Sequence, residues 1–260
     1  MLIGAHVDAD AAIAQAVALG ADIAQVTLGD PQSWRKPTVP GDGAAALRSQ
    51  AEDAGIGLYV HAAYVINVAS TNNRIRIPSR KLLQQTIDAA AGIGANGVIV
   101  HGGHVTADED QRRGYENWRK CVDGLDLKVP ILIENTAGGK KAMMRYLDSV
   151  RDLWAALDGS DNLGDVGLCL DTCHAHAAGL DLTTVVEDVR AVTGRIDLVH
   201  CNDSRDAAGS GRDRHAPLGR GQLDPEVLVA LLRDADAPVM LETPPENHAE
   251  EIAWLREQLG

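Results

Sequence analysis

Eight short apolar segments recur along this chain at regular intervals, and this repetition restricts the possible folds more than any other feature. Each segment is a continuous run of mainly Val, Ile and Leu, which is typical of parallel strands that are covered on both faces. We predict strands at residues 2–6, 23–28, 56–61, 97–101, 130–134, 166–171, 196–200 and 238–242.

The stretches between these strands have the spacing of apolar residues that is typical of helices. Several of them stop at a glycine, as at Gly20 and Gly55, and Asp224 followed by Pro225 has the pattern of a helix N-cap and first helical residue. We predict helices at residues 11–19, 43–54, 80–93, 115–125, 142–157, 182–192, 225–232 and 249–259.

Alternation of strand and helix over 260 residues predicts a single (β/α)8 TIM barrel of the α/β class that spans residues 1–260. A doubly wound sheet is the alternative, but it would rarely need eight equal units without a linker. The chain has no linker-like, low-complexity or repeated segment, so we expect one domain.

Most of the predicted strands end in a side chain that could bind a metal ion. Active sites of (β/α)8 barrels lie at the C-terminal ends of the strands, so these side chains would converge at one mouth. Buried ionisable groups are costly unless they are paired or bound to metal, so packing alone is a poor explanation. The residues are His61, His101, Glu134, Asp171, His200 and Glu242, and the first strand ends near His6.

Two further motifs add nitrogen and oxygen donors. A turn after Asp171 carries His174, and the long segment after the seventh strand contains Asp213 and His215. Asp171 could instead merely cap the next helix. Imidazole mixed with carboxylate suits zinc, with manganese and iron as competitors, and the set exceeds the needs of one tetrahedral ion. Multinuclear sites of this kind are characteristic of phosphate-ester hydrolysis.

The remaining histidines and the cysteines are weaker candidates. His6 could support the ligands from the rim, and His104 and His176 are expected to be solvated or to have a supporting role. His248 is expected to lie outside the site. We expect the cysteines to be small buried residues in a reducing cytosol; they are Cys121, Cys169, Cys173 and Cys201.

The N-terminal segment lacks a charged region followed by a long apolar one, so we expect no signal peptide. No apolar run approaches the roughly 18 residues of a membrane span. Together these features predict a cytoplasmic location.

Five motifs resemble the signature sequences of the endonuclease IV family, the metal-dependent apurinic/apyrimidinic endonucleases of base-excision repair. The resemblance covers nearly the whole chain, from residues 3–6 to residues 241–243, and is greatest to the shorter actinobacterial members. The motifs are residues 61–67 (HAAYVIN), 134–138 (ENTAG), 169–174 (CLDTCH), 200–204 (HCNDS) and 213–215 (DRH).

This resemblance implies a site for three metal ions, expected to be zinc, with manganese or iron as alternatives at some positions. Glu134 would bridge the first and second ions. The implied ligands are His61, His101 and Glu134 for the first ion, Glu134, Asp171, His200 and Glu242 for the second, and His174, Asp213 and His215 for the third.

The implied activity is hydrolysis of the phosphodiester 5′ to an abasic site in double-stranded DNA, with a 3′-hydroxyl product, and removal of blocking groups from 3′ ends. A metal-bound hydroxide at the Glu134-linked pair would be the nucleophile, and the third ion would stabilise the leaving 3′ oxygen. The resemblance also implies a monomer that acts on the bacterial nucleoid.

DNA-binding residues follow in part from the same resemblance. Tyr64 matches the family's intercalating tyrosine. The second βα loop of the family commonly carries an arginine that inserts at the lesion, and Gln32 occupies that position here, so this wedge would be uncharged.

The formal net charge of −13, taken globally, argues against a nucleic-acid partner. Fourteen of the 24 basic residues, however, lie in loops after the predicted strands, and a basic rim on an acidic body can hold phosphates locally. We expect Arg74 and Arg214 to contact DNA. The rim comprises Arg35, Lys36, Arg74, Arg76, Arg80, Lys81, Arg112, Arg113, Lys140, Lys141, Arg205, Arg212, Arg214 and Arg220.

Two other functions remain open at this point. A sugar isomerase or epimerase on a related barrel would need two carboxylate-bridged ions and usually a lysine, and has no use for Asp213 and His215 together with His174. A non-catalytic lesion-binding barrel could keep its metals for structure alone.

Overall fold

The structure, a computed structural model that describes residues 1–260, alternates strands with helices. The strands are β1 (Ile3–His6), β2 (Ile23–Val26), β3 (Gly57–His61), β4 (Gly97–His101), β5 (Ile131–Glu134), β6 (Val166–Asp171), β7 (Leu198–His200), β8 (Asp203–Ser204), β9 (His215–Ala216) and β10 (Val239–Leu241). The helices are α1 (Ala12–Leu19), α2 (Ala44–Ala54), α3 (Asn73–Gly92), α4 (Arg112–Val122), α5 (Leu147–Leu157), α6 (Thr172–Ala178), α7 (Val185–Thr193), α8 (Pro225–Ala235) and α9 (His248–Leu259).

Eight of the strands close into a parallel barrel. β1 pairs with both β2 and β10, and the order around the barrel is β1, β10, β7, β6, β5, β4, β3, β2. Because the sheet has no free edge, the predicted (β/α)8 barrel is confirmed and the doubly wound sheet is excluded. β8 and β9 form a small antiparallel hairpin in the long connection after β7.

The barrel strands are covered on both faces, which explains their continuous apolar sequences. A cluster of 59 buried residues fills the space between the barrel and its helices. A separate inner cluster fills the barrel interior and consists of Ile23, Tyr59, Ile99, Leu132, Cys169, Leu198 and Met240. No helix combines the length and the apolar character that crossing a membrane requires.

Two predicted helix starts are wrong by five residues or more. α3 begins at Asn73 rather than residue 80, because Asn72 caps it by accepting a hydrogen bond from the Arg74 main-chain nitrogen (2.9 Å) and the helix accommodates Pro78. α5 begins at Leu147 rather than residue 142, because residues 143–146 form turns and bends and the segment is tied to the loop after β4, where Ala142 bridges to His104 and the nitrogen of Met143 donates to the oxygen of Gly103.

The short helix α6 was not predicted. It begins directly after β6, and Asp171 caps it: the carboxylate accepts a hydrogen bond from the main-chain nitrogen of His174 at 2.6 Å. The capping role that competed with the metal-ligand hypothesis is therefore real, but it uses only Oδ1 of Asp171; the second carboxylate oxygen, Oδ2, accepts a hydrogen bond from Asn202.

Gly4 allows β1 and β2 to approach each other closely. A Cβ atom at this position would overlap the main-chain oxygen of Ile23, its partner in the strand register. We expect Gly4→Ala to lower the free energy of unfolding by at least about 2 kcal/mol, because the clash involves backbone that cannot rotate away. Chemical denaturation measures this loss. Gly164→Ala, where a Cβ meets nothing within 4 Å, is the control and should be near neutral.

Candidate metal centre

One residue of each barrel strand, or the residue directly after it, points into the C-terminal mouth of the barrel. Side chains alternate between the faces of a strand, so the residue two positions after each inner-cluster member also faces inwards. In six strands that residue is a predicted metal ligand, on β2 it is Gln25, and His6 lies opposite Gln25 in the register. We call these residues the mouth ring: His6, Gln25, His61, His101, Glu134, Asp171, His200 and Glu242.

Glu134 lies at the centre of the ring and is completely buried. Its Oε2 lies 3.3 Å from His61 Nε2 and 3.2 Å from His101 Nε2. Its Oε1 lies 3.2 Å from His174 Nδ1 and 3.2 Å from His200 Nδ1. The first predicted group, His61, His101 and Glu134, is therefore brought together, with its ligand atoms all within 4.8 Å of one another.

The second predicted group shares Glu134 with the first. The ligand atoms of Glu134, Asp171, His200 and Glu242 also lie within 4.8 Å of one another. His200 Nδ1 lies 3.1 Å from Glu242 Oε2, and the register of β6 and β7 places Asp171 directly beside His200. One carboxylate thus faces two sets of possible ligands.

The third predicted group is assembled by α6 and by the connection that contains β9. His174 Nε2 and His215 Nε2 each lie 3.1 Å from an oxygen of Asp213. The Asp213 side chain is 51% exposed, so this group is the one that is open to solvent. Cys173 also lies near Asp171 and His215, but burial raises the pKa of its thiol to about 12.

The orientation of the imidazoles is fixed from outside the centre. A main-chain oxygen can only accept a hydrogen bond, so an imidazole nitrogen bonded to one must carry the proton. This leaves the Nε2 lone pair of His61, His174 and His215 facing the carboxylates. The donating nitrogens are His61 Nδ1 to Ala62 O (2.8 Å), His174 Nδ1 to Asn135 O (2.9 Å) and His215 Nδ1 to Glu242 O (3.2 Å).

Charges in the centre strongly shift its pKa values. Burial lowers the pKa of His215, but the nearby Asp213 and Asp171 carboxylates outweigh it and raise the pKa to about 9. Burial opposes ionisation of Glu134 too, yet the surrounding imidazoles hold its pKa well below the usual range. For Asp171, burial dominates and raises the pKa. The pocket therefore favours added positive charge.

Unpartnered buried nitrogens indicate that the centre fits metal cations. His174 Nε2 and His215 Nε2 are buried without a hydrogen-bond partner, although both lie 3.1 Å from Asp213. Buried polar atoms without partners are rare. Two imidazole nitrogens that converge on a carboxylate without hydrogen-bond alignment are suited to a shared cation, and the mixed nitrogen and oxygen donors match zinc or a similar ion.

The sequence analysis did not identify three buried amides that hold the carboxylates. Asn135 exchanges two hydrogen bonds with the main chain of Asp171, and Asn202 donates to Asp171 Oδ2 at 2.6 Å. Gln25 donates to Glu242 Oε1 at 2.6 Å. Gln25 could have been identified as a polar residue near the end of an apolar strand, the position that the predicted ligands occupy on the other strands. Because the second strand was predicted to end at residue 28, Gln25 did not lie near its predicted end.

The predicted DNA-binding residues lie around the mouth, but they differ in whether another side chain of the protein already binds them. Tyr64 is 53% exposed, and its ring stacks on His101 with centroids 5.6 Å apart. Gln32 is exposed in the loop after β2, and Arg74 is exposed in the first turn of α3. Arg214, in contrast, is bound by the carboxylate of Asp206.

A cavity of about 500 Å³ opens beside the first group. Its walls include the half-exposed Trp34, the stacked pair Tyr64 and His101, and His104. Two aromatic rings at the entrance to a cavity next to the metal centre provide flat surfaces on which a sugar or a base can rest.

His6, His176 and His248 contact an amide or main-chain oxygens rather than the carboxylates of the three groups. His6 lies in the ring but contacts Gln25 rather than a carboxylate, and burial lowers its pKa to about 4. His176 contacts the main-chain oxygen of Asp206, and the buried His248 contacts that of Thr243. All four cysteines are buried free thiols, as predicted.

Comparison with known proteins gives relatives over the full length of the chain. The family described as xylose isomerase-like TIM barrel matches residues 13–258. A protein named probable endonuclease 4, from Mycobacterium ulcerans (strain Agy99), is 57% identical over 262 residues, with all of both chains covered. The crystal structure of endonuclease IV from Thermus thermophilus has a TM-score of 0.85 and 29% identity, covering 100% of this chain and 99% of that one.

More distant structures are similar to this chain in fold. A D-tagatose 3-epimerase-like protein has a TM-score of 0.82 but 17% identity, covering 100% of this chain and 97% of that one. At this identity the likeness shows the fold alone and carries no argument about chemistry.

Proposed function

This chain belongs to the endonuclease IV family, and from that premise we propose that it hydrolyses the DNA phosphodiester 5′ to abasic sites and leaves a 3′-hydroxyl. The observation that carries the proposal is the convergence of its carboxylates and imidazoles in three groups at the barrel mouth, two of which share Glu134. We extend the proposal to removal of blocked 3′ ends in base-excision repair, by a cytoplasmic monomer.

The residues present would hold three ions, which we propose to be zinc, with manganese or iron as alternatives. Bound there, the ions supply the positive charge that activates water and stabilises the charge on the attacked and leaving oxygens. Glu134 would link the first and second groups, while Asp213 would complete the third at the solvent-exposed side.

The chain's own residues would orient the DNA around these ions. Tyr64, stacked on His101, would present a flat face to the nucleotide at the lesion, and Gln32 would occupy the neighbouring loop without adding charge. Arg74 would hold a phosphate by charge. Because Asp206 already binds Arg214, that side chain would contribute less than its position suggests.

Arg74→Ala should weaken binding of an abasic duplex roughly tenfold at low salt, because one exposed cation that contacts a phosphate is lost. The slope of log affinity against log salt should fall by about 1. Arg214→Ala should have a smaller effect, and Arg233→Ala, on the exposed last turn of α8, should have none. Fluorescence anisotropy titrations measure these affinities. Equal effects of all three substitutions would contradict the hypothesis that DNA binds at the basic rim around the mouth.

The function itself is tested by incubating the protein with a duplex that carries one abasic analogue, with and without a chelator. We expect a single cut 5′ to the analogue, a 3′ end that a polymerase extends, and loss of the cut with chelator. Binding without cutting would support a lesion-binding barrel instead. Interconversion of ketose sugars without DNA cleavage would support the epimerase alternative.

A further inference from the structure

Gln25 occupies a mouth-ring position but is not a predicted metal ligand. Its side chain is completely buried, and a buried amide needs partners for both its oxygen and its nitrogen. Its Nε2 donates to Glu242 Oε1 at 2.6 Å and lies 3.0 Å from His6 Nδ1, and its Oε1 accepts from His200 Nε2 at 2.8 Å. Both the nitrogen and the oxygen of the amide therefore have hydrogen-bond partners within the mouth ring.

These contacts determine which atoms of two ring residues face the second group. Since Oε1 of Gln25 can only accept, His200 must carry its proton on Nε2. Its Nδ1 is then the nitrogen that lies 3.2 Å from Glu134 Oε1 and 3.1 Å from Glu242 Oε2. Because Gln25 also holds Oε1 of Glu242, the other oxygen, Oε2, is the one directed at the group.

His6 and Glu242 together fix the orientation of the Gln25 amide. Turning the amide over would place its oxygen 2.6 Å from a carboxylate oxygen, which is electrostatically unfavourable, and would leave His200 Nε2 facing an N–H group. His6 Nδ1 accepts from the same amide nitrogen and favours the observed orientation. One arrangement of the network satisfies every atom.

We propose that Gln25 is a positioning residue that presents His200 Nδ1 and Glu242 Oε2 to the second group and thereby strengthens cation binding there. The inference rests on the proposed function only in that the second group binds a divalent cation. Partners of the outer nitrogen of a ligating histidine typically change metal affinity by about 10- to 100-fold.

The test uses Gln25→Met, which keeps the length of the side chain and removes its hydrogen bonds. Zinc binding to the full-length chain is measured by competition with a coloured chelator, and the His200 tautomer is measured by nitrogen-15 NMR of the zinc-loaded and metal-free protein. We expect one class of zinc site to weaken by about 10- to 100-fold and, in the metal-free protein, His200 to lose its preference for a proton on Nε2.

Asn117→Leu is the matched control. Asn117 is a buried amide on α4 that donates to the main-chain oxygens of Ala69 and Ser70. Its replacement therefore shows how much stability is lost when a buried amide outside the metal centre is removed. It should leave zinc affinity and the His200 tautomer unchanged. Unchanged zinc affinity and tautomer in Gln25→Met would overturn the proposal.

Gln25→Glu decides the question if Gln25→Met does not fold. A carboxylate keeps the acceptor for His200 Nε2 but cannot donate to Glu242, so the tautomer should be retained. A changed His200 tautomer in this variant would overturn the proposal. Both readouts are independent of DNA cleavage, so a protein that binds zinc in this way but cuts no abasic duplex would contradict the proposed function and leave the role of Gln25 intact.

Discussion

Replacing Glu134 with glutamine will lower the rate of abasic-site cleavage by about 100- to 1,000-fold, because several kcal/mol of transition-state stabilisation are lost at about 1.4 kcal/mol per factor of ten. Glu134 contacts His61, His101, His174 and His200 through its two oxygens. The amide removes the negative charge and turns N–H donors towards imidazole nitrogens, so the first and second groups are no longer linked.

The fold should survive this substitution. Glutamine has nearly the same shape, and the two hydrophobic clusters that hold the barrel do not include Glu134. Single-turnover cleavage measures the loss of rate, the zinc content measures the loss of metal binding, and the melting temperature shows whether the fold is intact. Glu257→Gln removes the same charge from an exposed position on α9 and should cleave normally. A Glu134→Gln protein that keeps more than about a tenth of the wild-type rate would refute the bridging role.

Removing the metal ions will abolish cleavage and lower the melting temperature by at least about 10 °C. A ligand present at 100 times its dissociation constant stabilises a protein by about 2.7 kcal/mol, so three ions would together contribute about 8 kcal/mol, and a domain of this size loses about 2–4 °C per kcal/mol. Without cations, the carboxylates of Glu134, Asp171 and Glu242, of which the first two are fully buried, lie close together, and imidazoles are the only groups in contact with them that can carry a compensating charge.

Calorimetry before and after treatment with a chelator measures this stabilisation, and elemental analysis confirms that the metal is gone. Adding zinc back should restore both cleavage and melting temperature, while magnesium should not, since imidazole is a poor ligand for it. Cleavage by a protein shown to be free of transition metal would be inconsistent with the proposed centre.

The barrel could be predicted from the sequence because its signal is local. Each strand is a short apolar run that is buried on both faces, and eight such runs with helices between them leave few arrangements other than a closed barrel. Some helix boundaries could not be predicted, because the capping by Asn72 and the turns before α5 are decided by contacts within loops.

The carboxylates and imidazoles of the centre could be proposed for a related reason. A charged or imidazole side chain at the end of a buried strand is conspicuous, and the barrel brings all strand ends to one mouth. Asp213 and His215 were also proposed from the residues as donors together with His174, although they lie in a long connection whose path the sequence does not specify.

The sequence by itself thus determined the barrel and the carboxylates and imidazoles that converge at its C-terminal mouth. Only the tertiary structure decided that Gln25 joins His200 and Glu242, and that Asp206 holds Arg214. The physical reason is that these contacts depend on the register of a closed sheet and on the return path of one loop. Gln25 and Glu242 are 217 positions apart, and no local pattern of residues specifies how two such side chains meet.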